Sequence, residues 1–87
     1  MRFHIIRYAD PVNRGLLCSE AMSRDTGQIY RVWTNARNQT IRIENIRHKN
    51  PVKTDGELGC SIIAALQEFS VKYGDAPYVA SRDGVRK

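Results

Sequence analysis

A chain of 87 residues is long enough for one domain with a thin hydrophobic core and too short for two. Its composition is that of a globular protein without an apolar run of membrane-spanning length, and its opening MRFHIIRY is too short for a signal-peptide core, so we expect a cytoplasmic protein without membrane contact. Fourteen Lys and Arg residues against nine Asp and Glu residues give a net charge of +5, which favours a nucleic-acid partner or an acidic protein surface.

The first part of the chain is predicted to form two strands. Residues 2–8 alternate as a strand with apolar side chains on both faces, which is typical of an inner strand. Its predicted faces hold Phe3 and Ile5 on one side, and a half-buried His4 with Ile6 and Tyr8 on the other. Asp10 and Pro11 suit either a turn or the start of a helix. We favour a turn and then a strand at 16–22, because residues 24–27 form a hairpin turn with a glycine in the left-handed position.

A second hairpin follows the first. Residues 28–34 are rich in β-branched and aromatic side chains, and residues 40–46 supply the pairing strand across a turn at 35–38. Strand alternation places on the core face Tyr30, Val32, Ile41 and Ile43. The outer face then receives Arg31, Trp33, Arg42 and Glu44. An outward tryptophan beside arginines is typical either of a ring packed under arginine stems or of an interface residue.

The segment 54–73 is the one long stretch with helical period, and we expect it to organise the fold. Thr54 and Glu57 have the spacing of a capping box, and Gly74 suits a left-handed residue after the last turn. The apolar stripe that should pack on the sheet consists of Leu58, Ala65, Tyr73 and the three leading core residues Ile62, Leu66 and Phe69. Gly59, at the edge of this stripe, would let another backbone come close.

The back of this helix carries small and apolar residues where charges are usual. Cys60, Ala64 and Val71 form a smooth strip there, which is either an ordinary solvated face or a contact surface for a partner or for the second copy in a homodimer. Beyond the helix, residues 77–81 are predicted as a short last strand, followed by a turn at 82–84 and a basic tail.

Residues that support catalysis or metal binding are sparse. Cys18 and Cys60 are expected to be buried thiols rather than a disulfide, and they form no CxxC motif. His4 and His48 likewise form no HxxxH pair that would preorganise a zinc site. The sequence also lacks a glycine-rich phosphate loop. We therefore predict no metal, no cofactor and no enzyme activity, and keep a small basic nuclease-type toxin as an alternative.

Basic residues are concentrated in the second hairpin and the linker that follows it. Positions 37 to 53 hold five basic residues and one acidic residue, a net charge of +4 close to the tryptophan. The predicted binding residues are Arg31, Trp33, Arg42, Arg47 and Lys49. One hypothesis is that they dock on a protein or ribonucleoprotein complex. The alternative is that they hold DNA or RNA directly, through phosphate contacts and base stacking.

The end of the helix and its exit carry a family resemblance. The sequence AALQEF at 64–69, followed by YGDAPYV at 73–79, resembles the alanine-rich helix, aromatic–glycine turn and proline–tyrosine strand of some small phage-encoded anti-CRISPR proteins of type I systems. The size and the predicted helix-on-sheet architecture are similar too. The resemblance covers under a quarter of the chain, and no catalytic residues are carried over, because these proteins share none.

This resemblance implies a stoichiometric inhibitor of a CRISPR surveillance complex, which would cover a DNA-binding surface or a nuclease-recruiting site. Some members of the group are acidic DNA mimics, whereas this chain is basic. The resemblance therefore implies binding by another route, such as an acidic patch of the complex or its guide RNA.

Together these patterns predict a single α+β domain over residues 1–87, an antiparallel sheet of four to five strands with one long helix packed on one face. The predicted function is that of a small non-enzymatic binding protein, which inhibits or modulates a nucleic-acid-handling complex by occupying its surface.

Overall fold

The structure is a computed structural model that describes residues 2–13, 15–37 and 39–79. In this part of the chain there are six strands and one helix: β1 (Phe3–Asn13), β2 (Leu16–Ser23), β3 (Ile29–Thr34), β4 (Thr40–Asn45), β5 (Pro51–Val52), α1 (Glu57–Tyr73) and β6 (Tyr78–Val79). The predicted turn at 82–84, the basic tail and residues 80–81 of the predicted last strand lie outside the described residues.

All strands belong to one antiparallel sheet with the order β5-β4-β3-β2-β1-β6. Strands β1 to β5 follow one another as a meander, because short turns join neighbouring strands. The chain then crosses the sheet as α1 and adds β6 to the opposite edge. The predicted α+β class, with an antiparallel sheet and one helix, is confirmed. The sheet gains β5, whose residues were predicted as part of a basic linker.

The hydrophobic core lies between α1 and one face of the sheet. Ile62 and Leu66 of the helix are buried there, as predicted, whereas Phe69 is only partly buried. The buried sheet residues of this core are Ile5, Ala21, Val32 and Ile43. Within the described residues no helix covers the other face of the sheet, so this face is open for a binding surface.

The start of α1 differs from the predicted capping box. The N-cap is Gly56, which has an extended backbone and no side-chain cap, so the helix begins at Glu57 rather than at Thr54. The reason is a turn just before it, closed by the Gly56 N–H donating to the Lys53 carbonyl at 3.2 Å. This turn places Glu57 at the first helical position, where it cannot act as the third residue of a capping box.

The end of α1 follows the prediction in part. The N–H of Gly74 donates to the Ser70 carbonyl at 2.8 Å and Gly74 has a φ of 93°, which favours glycine. Its ψ of 179° is extended rather than left-handed helical, so the chain leaves the helix directly towards β6.

The first strand is longer and less regular than predicted. β1 runs to Asn13, so the predicted turn at Asp10 and Pro11 is wrong, and shifts in the β1–β2 register interrupt its alternation. The shift after Ile5 moves Tyr8 to the core side, although alternation predicted it on the opposite side. His4, expected to be half-buried, is exposed.

The second hairpin keeps most of its predicted faces. Val32 and Ile43 are paired across β3 and β4 and are buried, and Tyr30 packs against the core. Ile41, predicted on the core face, is 54% exposed. The register shifts at this point, so that Trp33 pairs with Arg42 and the next pair skips Ile41.

Both cysteines are free, and only one of them is buried. Cys18 lies buried in β2 as expected, whereas Cys60 is exposed on the back of α1, which corrects the prediction of two buried thiols. Ala64 and Val71 share that exposed back. Among the residues that the structure describes, no helix has both the length and the apolar character needed to cross a bilayer.

Candidate functional site

The face of the sheet opposite α1, here called the outer face, carries two cross-strand rows of side chains. The first row, set by the strand register, consists of Arg7, Glu20, Arg31 and Glu44. The second row consists of Asp10, Cys18, Trp33 and Arg42. Alternation explains these rows, because Val32 between Arg31 and Trp33 points into the core on the other side.

Two arginines of the outer face are held by buried carboxylates. The Nε atom of Arg31 donates to Glu20 Oε2 at 2.9 Å, and its Nη2 atom forms an ion pair with the same oxygen at 2.9 Å. Nη2 of Arg42 donates to Glu44 Oε1 at 2.6 Å. Glu20 is only 9% exposed and Glu44 only 8%, although they lie on a face without a helix. Long arginine stems cover such positions while the charged ends stay near water.

The Trp33 ring lies within contact distance of both arginines. The Cζ atoms of Arg31 and Arg42 are 5.8 Å and 5.6 Å from the ring centroid, within the range of cation–π contact. The ring is half-buried, so part of its surface is open to a partner. The contact between the ring and the arginine side chains is thus observed, whereas the role of Trp33 as an interface residue stays a prediction.

Arg7 extends the same cluster onto β1. Its Nη1 atom is 2.5 Å from Asp10 Oδ2, and its Nε atom faces Glu20 Oε1 at 3.7 Å. The cluster on the outer face thus combines three guanidinium groups with three carboxylates, and its formal charge is zero. Arg7 was not among the predicted site residues, because the register shift near Ile6 moves it to this face. Glu20 was not predicted either, although alternation along β2 places that residue on the outer face with Cys18.

Cys18 lies beneath this cluster. Burial, and secondarily the charge of Glu20, raises the pKa of the Cys18 thiol. The thiol therefore stays protonated at neutral pH, and a protonated thiol is a poor nucleophile and metal ligand. Cys18 therefore acts as a small buried residue on the same face of the sheet as Trp33.

Arg47 and Lys49 lie elsewhere. Both are exposed in the loop 46–50 between β4 and β5. Arg42 lies three residues before the end of β4, about 10 Å along the strand, and Arg47 follows in the turn beyond that end. The structure thus brings together Arg31, Trp33 and Arg42 of the five predicted binding residues, and it places the other two on a different part of the surface.

A cleft of about 450 Å³ opens beside α1, and three of its polar side chains are engaged with one another. The Tyr8 hydroxyl donates to Asp75 Oδ1 at 3.4 Å, and the Ser70 hydroxyl donates to the same oxygen. Within residues 2–13, 15–37 and 39–79, no group of three or more His, Cys, Asp and Glu side chains is placed to hold a metal ion.

Comparisons with protein-family models, with curated proteins and with solved structures give no match. The geometry of the outer face and the distribution of charge are therefore the observations from which a function is inferred.

Proposed function

We propose that this chain is a small non-enzymatic binding protein that docks on a larger nucleic-acid-handling assembly through its outer face and inhibits or modulates that assembly by occupying its surface. The observation that carries the proposal is the half-buried Trp33 ring in contact with both Arg31 and Arg42. Tryptophan and arginine are the residue types that most often dominate the energy of protein interfaces.

The pairing of the arginines supports a protein partner for this face rather than a phosphate backbone. A phosphate would compete with Glu20 for Arg31 and with Glu44 for Arg42. Removing a guanidinium from a buried carboxylate leaves an unpaired charge, which is strongly destabilising. The cluster also has no net charge, so it creates little of the long-range attraction that brings a polyanion to a protein.

The arginine–glutamate pairs also favour docking, because they hold the arginine side chains in place before a partner binds. Ordering a long side chain at an interface costs about 0.5–1.5 kcal/mol. Arg31 and Arg42 are already held by hydrogen bonds at 2.9 Å and 2.6 Å, so much of this cost is met on folding. Each guanidinium has five N–H donors, and those not used by the glutamates can reach a partner.

The resemblance of the helix exit to type I anti-CRISPR proteins suggests the class of assembly to test first. We expect the chain to bind a purified type I surveillance complex that carries its guide RNA, as measured by biolayer interferometry across several such complexes. Trp33→Ala should weaken binding about 30-fold or more, since truncating an interface hot spot costs about 2 kcal/mol or more.

Tyr73→Ala is the matched control for this substitution, because Tyr73 is an aromatic residue that is 64% exposed at the end of α1. We expect it to change the affinity by less than about threefold, as for a residue outside a hot spot. Equal losses in the two variants, or no binding to any complex, would contradict the proposal.

Trp33 is a better target than Arg42 in this experiment. The variant Arg42→Glu would place a second carboxylate beside the buried Glu44, and like charges repel strongly at such a distance. A loss of binding by that variant would then reflect damage to the fold as much as a lost contact.

A further inference from the structure

One end of the sheet, here called the basic end, gathers basic residues that lie far apart in the sequence. Arg2 precedes β1, Arg24 follows β2, and Arg47 and Lys49 follow β4. Antiparallel pairing brings these positions to the same end, since Phe3 is opposite Ser23 and Tyr30 is opposite Asn45. A hydrogen bond of 2.9 Å from the Arg24 N–H to the Arg2 carbonyl links two of the segments directly.

The four cations of the basic end are exposed and lack ion-pair partners within the described residues. The loops that carry them hold one acidic residue, Asp25. The basic end therefore carries a net charge of +3, out of a net charge of +5 for the whole chain. This is the opposite of the outer face, where each arginine contacts a carboxylate.

The turn at 24–27 is fixed by a buried serine. The Ser23 hydroxyl accepts the N–H groups of Asp25 and Thr26, each at 3.2 Å, and the Ser23 carbonyl accepts the Gly27 N–H at 2.8 Å. Ser23 is only 3% exposed, so this turn is anchored in the sheet and holds Arg24 at its surface.

The loop at 46–50 is fixed in the same way by Asn45. Its side-chain oxygen accepts the N–H groups of Arg47 and His48 at 2.9 Å and 3.1 Å, while its carbonyl accepts the Lys49 N–H at 2.7 Å. The Asn45 amide also donates to Gln28, which ties the two loops together. Lys49 has a φ of 61°, a conformation that costs a lysine energy and that often marks a functional position.

We propose that the basic end binds the phosphodiester backbone of a nucleic acid. The four cations span three inter-strand spacings, about 14 Å, and a nucleic-acid strand carries one phosphate per about 3.4 Å of its axis. The surface therefore matches about four consecutive phosphates. The four cations would contact phosphates rather than base edges, so we expect binding to be independent of the nucleotide sequence.

The surroundings of the cations distinguish this partner from a membrane surface. Proteins that lie on anionic membranes combine cations with apolar side chains that enter the bilayer. The exposed large apolar residues of the described chain are Val12, Ile41, Val71, Tyr73 and Val79, and all of them lie outside the loops of the basic end. This surface is separate from Trp33, so it is tested independently of docking through the outer face.

The test is fluorescence anisotropy of short labelled duplex DNA and single-stranded RNA of mixed sequence, titrated at several salt concentrations between about 50 and 200 mM. For four phosphate contacts we expect the logarithm of the affinity to fall against the logarithm of the salt concentration with a slope of about −3 to −4. Arg47→Gln with Lys49→Gln should reduce the slope to about −2 and weaken binding at least about tenfold.

The matched control is Arg37→Gln with Lys72→Gln, which removes the same charge from exposed positions in the turn between β3 and β4 and in the last turn of α1. It should bind almost as the native chain does. Arg2→Gln with Arg24→Gln alters the other two segments, and we expect the same loss as for the loop pair, with circular dichroism showing that each variant folds.

Four results would overturn the proposal. They are no binding at the lowest salt, equal losses in the control pair and the loop pair, equal affinity for vesicles of anionic lipid, and equal affinity for polyglutamate. The last two would mean that the basic end binds a membrane or an acidic protein instead.

Discussion

Replacing Gly59 by alanine is expected to destabilise the protein by about 3 kcal/mol or more, the upper part of the range for overpacking. A methyl group on Gly59 would lie 2.1 Å from the Lys53 carbonyl oxygen and 3.0 Å from the Thr54 Cα. These are backbone atoms, so α1 or the turn before it must move. Chemical denaturation followed by circular dichroism measures the loss in the free energy of unfolding.

The sign of this change is itself informative. Alanine is favoured over glycine within a helix by about 1 kcal/mol, so helix propensity alone predicts that Gly59→Ala stabilises the protein. Gly56→Ala is the control, because a Cβ at that position meets the Lys53 side chain at 3.4 Å, an ordinary contact. We expect the control to cost about 1 kcal/mol or less. A more stable Gly59→Ala protein would contradict the packing of α1 described above.

Replacing Ile62 by alanine is expected to cost about 2–5 kcal/mol, through lost apolar burial and the cavity that remains. Ile62 is fully buried between α1 and the sheet, against a core that includes Val32 and Ile43. A small domain has only about 5–15 kcal/mol of net stability, so this loss should shift the urea midpoint strongly.

Val71→Ala is the control for Ile62, since Val71 is 89% exposed on the back of the same helix. Surface substitutions of this kind usually change stability by less than about 0.5 kcal/mol. A large loss for Val71→Ala would mean that the back of α1 is covered in solution, which would favour the homodimer predicted through Cys60, Ala64 and Val71.

The parts of the fold that could be predicted from the sequence are those with strong local determinants. The stripe led by Ile62 and Leu66 indicates α1, and the turns at 24–27 and 35–38 predict the meander. The turn that begins at Asn35 depends on local contacts, because the Asn35 side-chain oxygen accepts the N–H groups of Arg37 and Gln39 at 2.9 Å and 3.0 Å.

The errors come from features that depend on distant contacts. The register shifts in β1 move Tyr8 and Arg7 to new faces, and they become visible only when β1 is paired with β2. β5 consists of the two residues Pro51–Val52, which lack a strand pattern of their own and pair because β4 presents an open edge. The capping box failed because a turn at Lys53 competes for the same residues.

The candidate site was predictable in position but not in electrostatics. Alternation from Val32 placed Arg31 and Trp33 on the outer face, and pairing of the two strands added Arg42. The count of basic residues could not show that Arg31 contacts a glutamate eleven positions earlier in the chain. It also grouped Arg47 with residues from which the strand geometry separates it.

The measurement that tests the central claim most directly is hydroxyl-radical footprinting of the chain, free and bound to its target assembly. The sequence has one tryptophan, so oxidation at Trp33 reports on the outer face, while oxidation at the exposed Tyr73 reports on the end of α1. Docking through the outer face predicts that complex formation slows the oxidation of Trp33 severalfold and leaves that of Tyr73 nearly unchanged. Protection of Tyr73 with unchanged oxidation of Trp33 would contradict it.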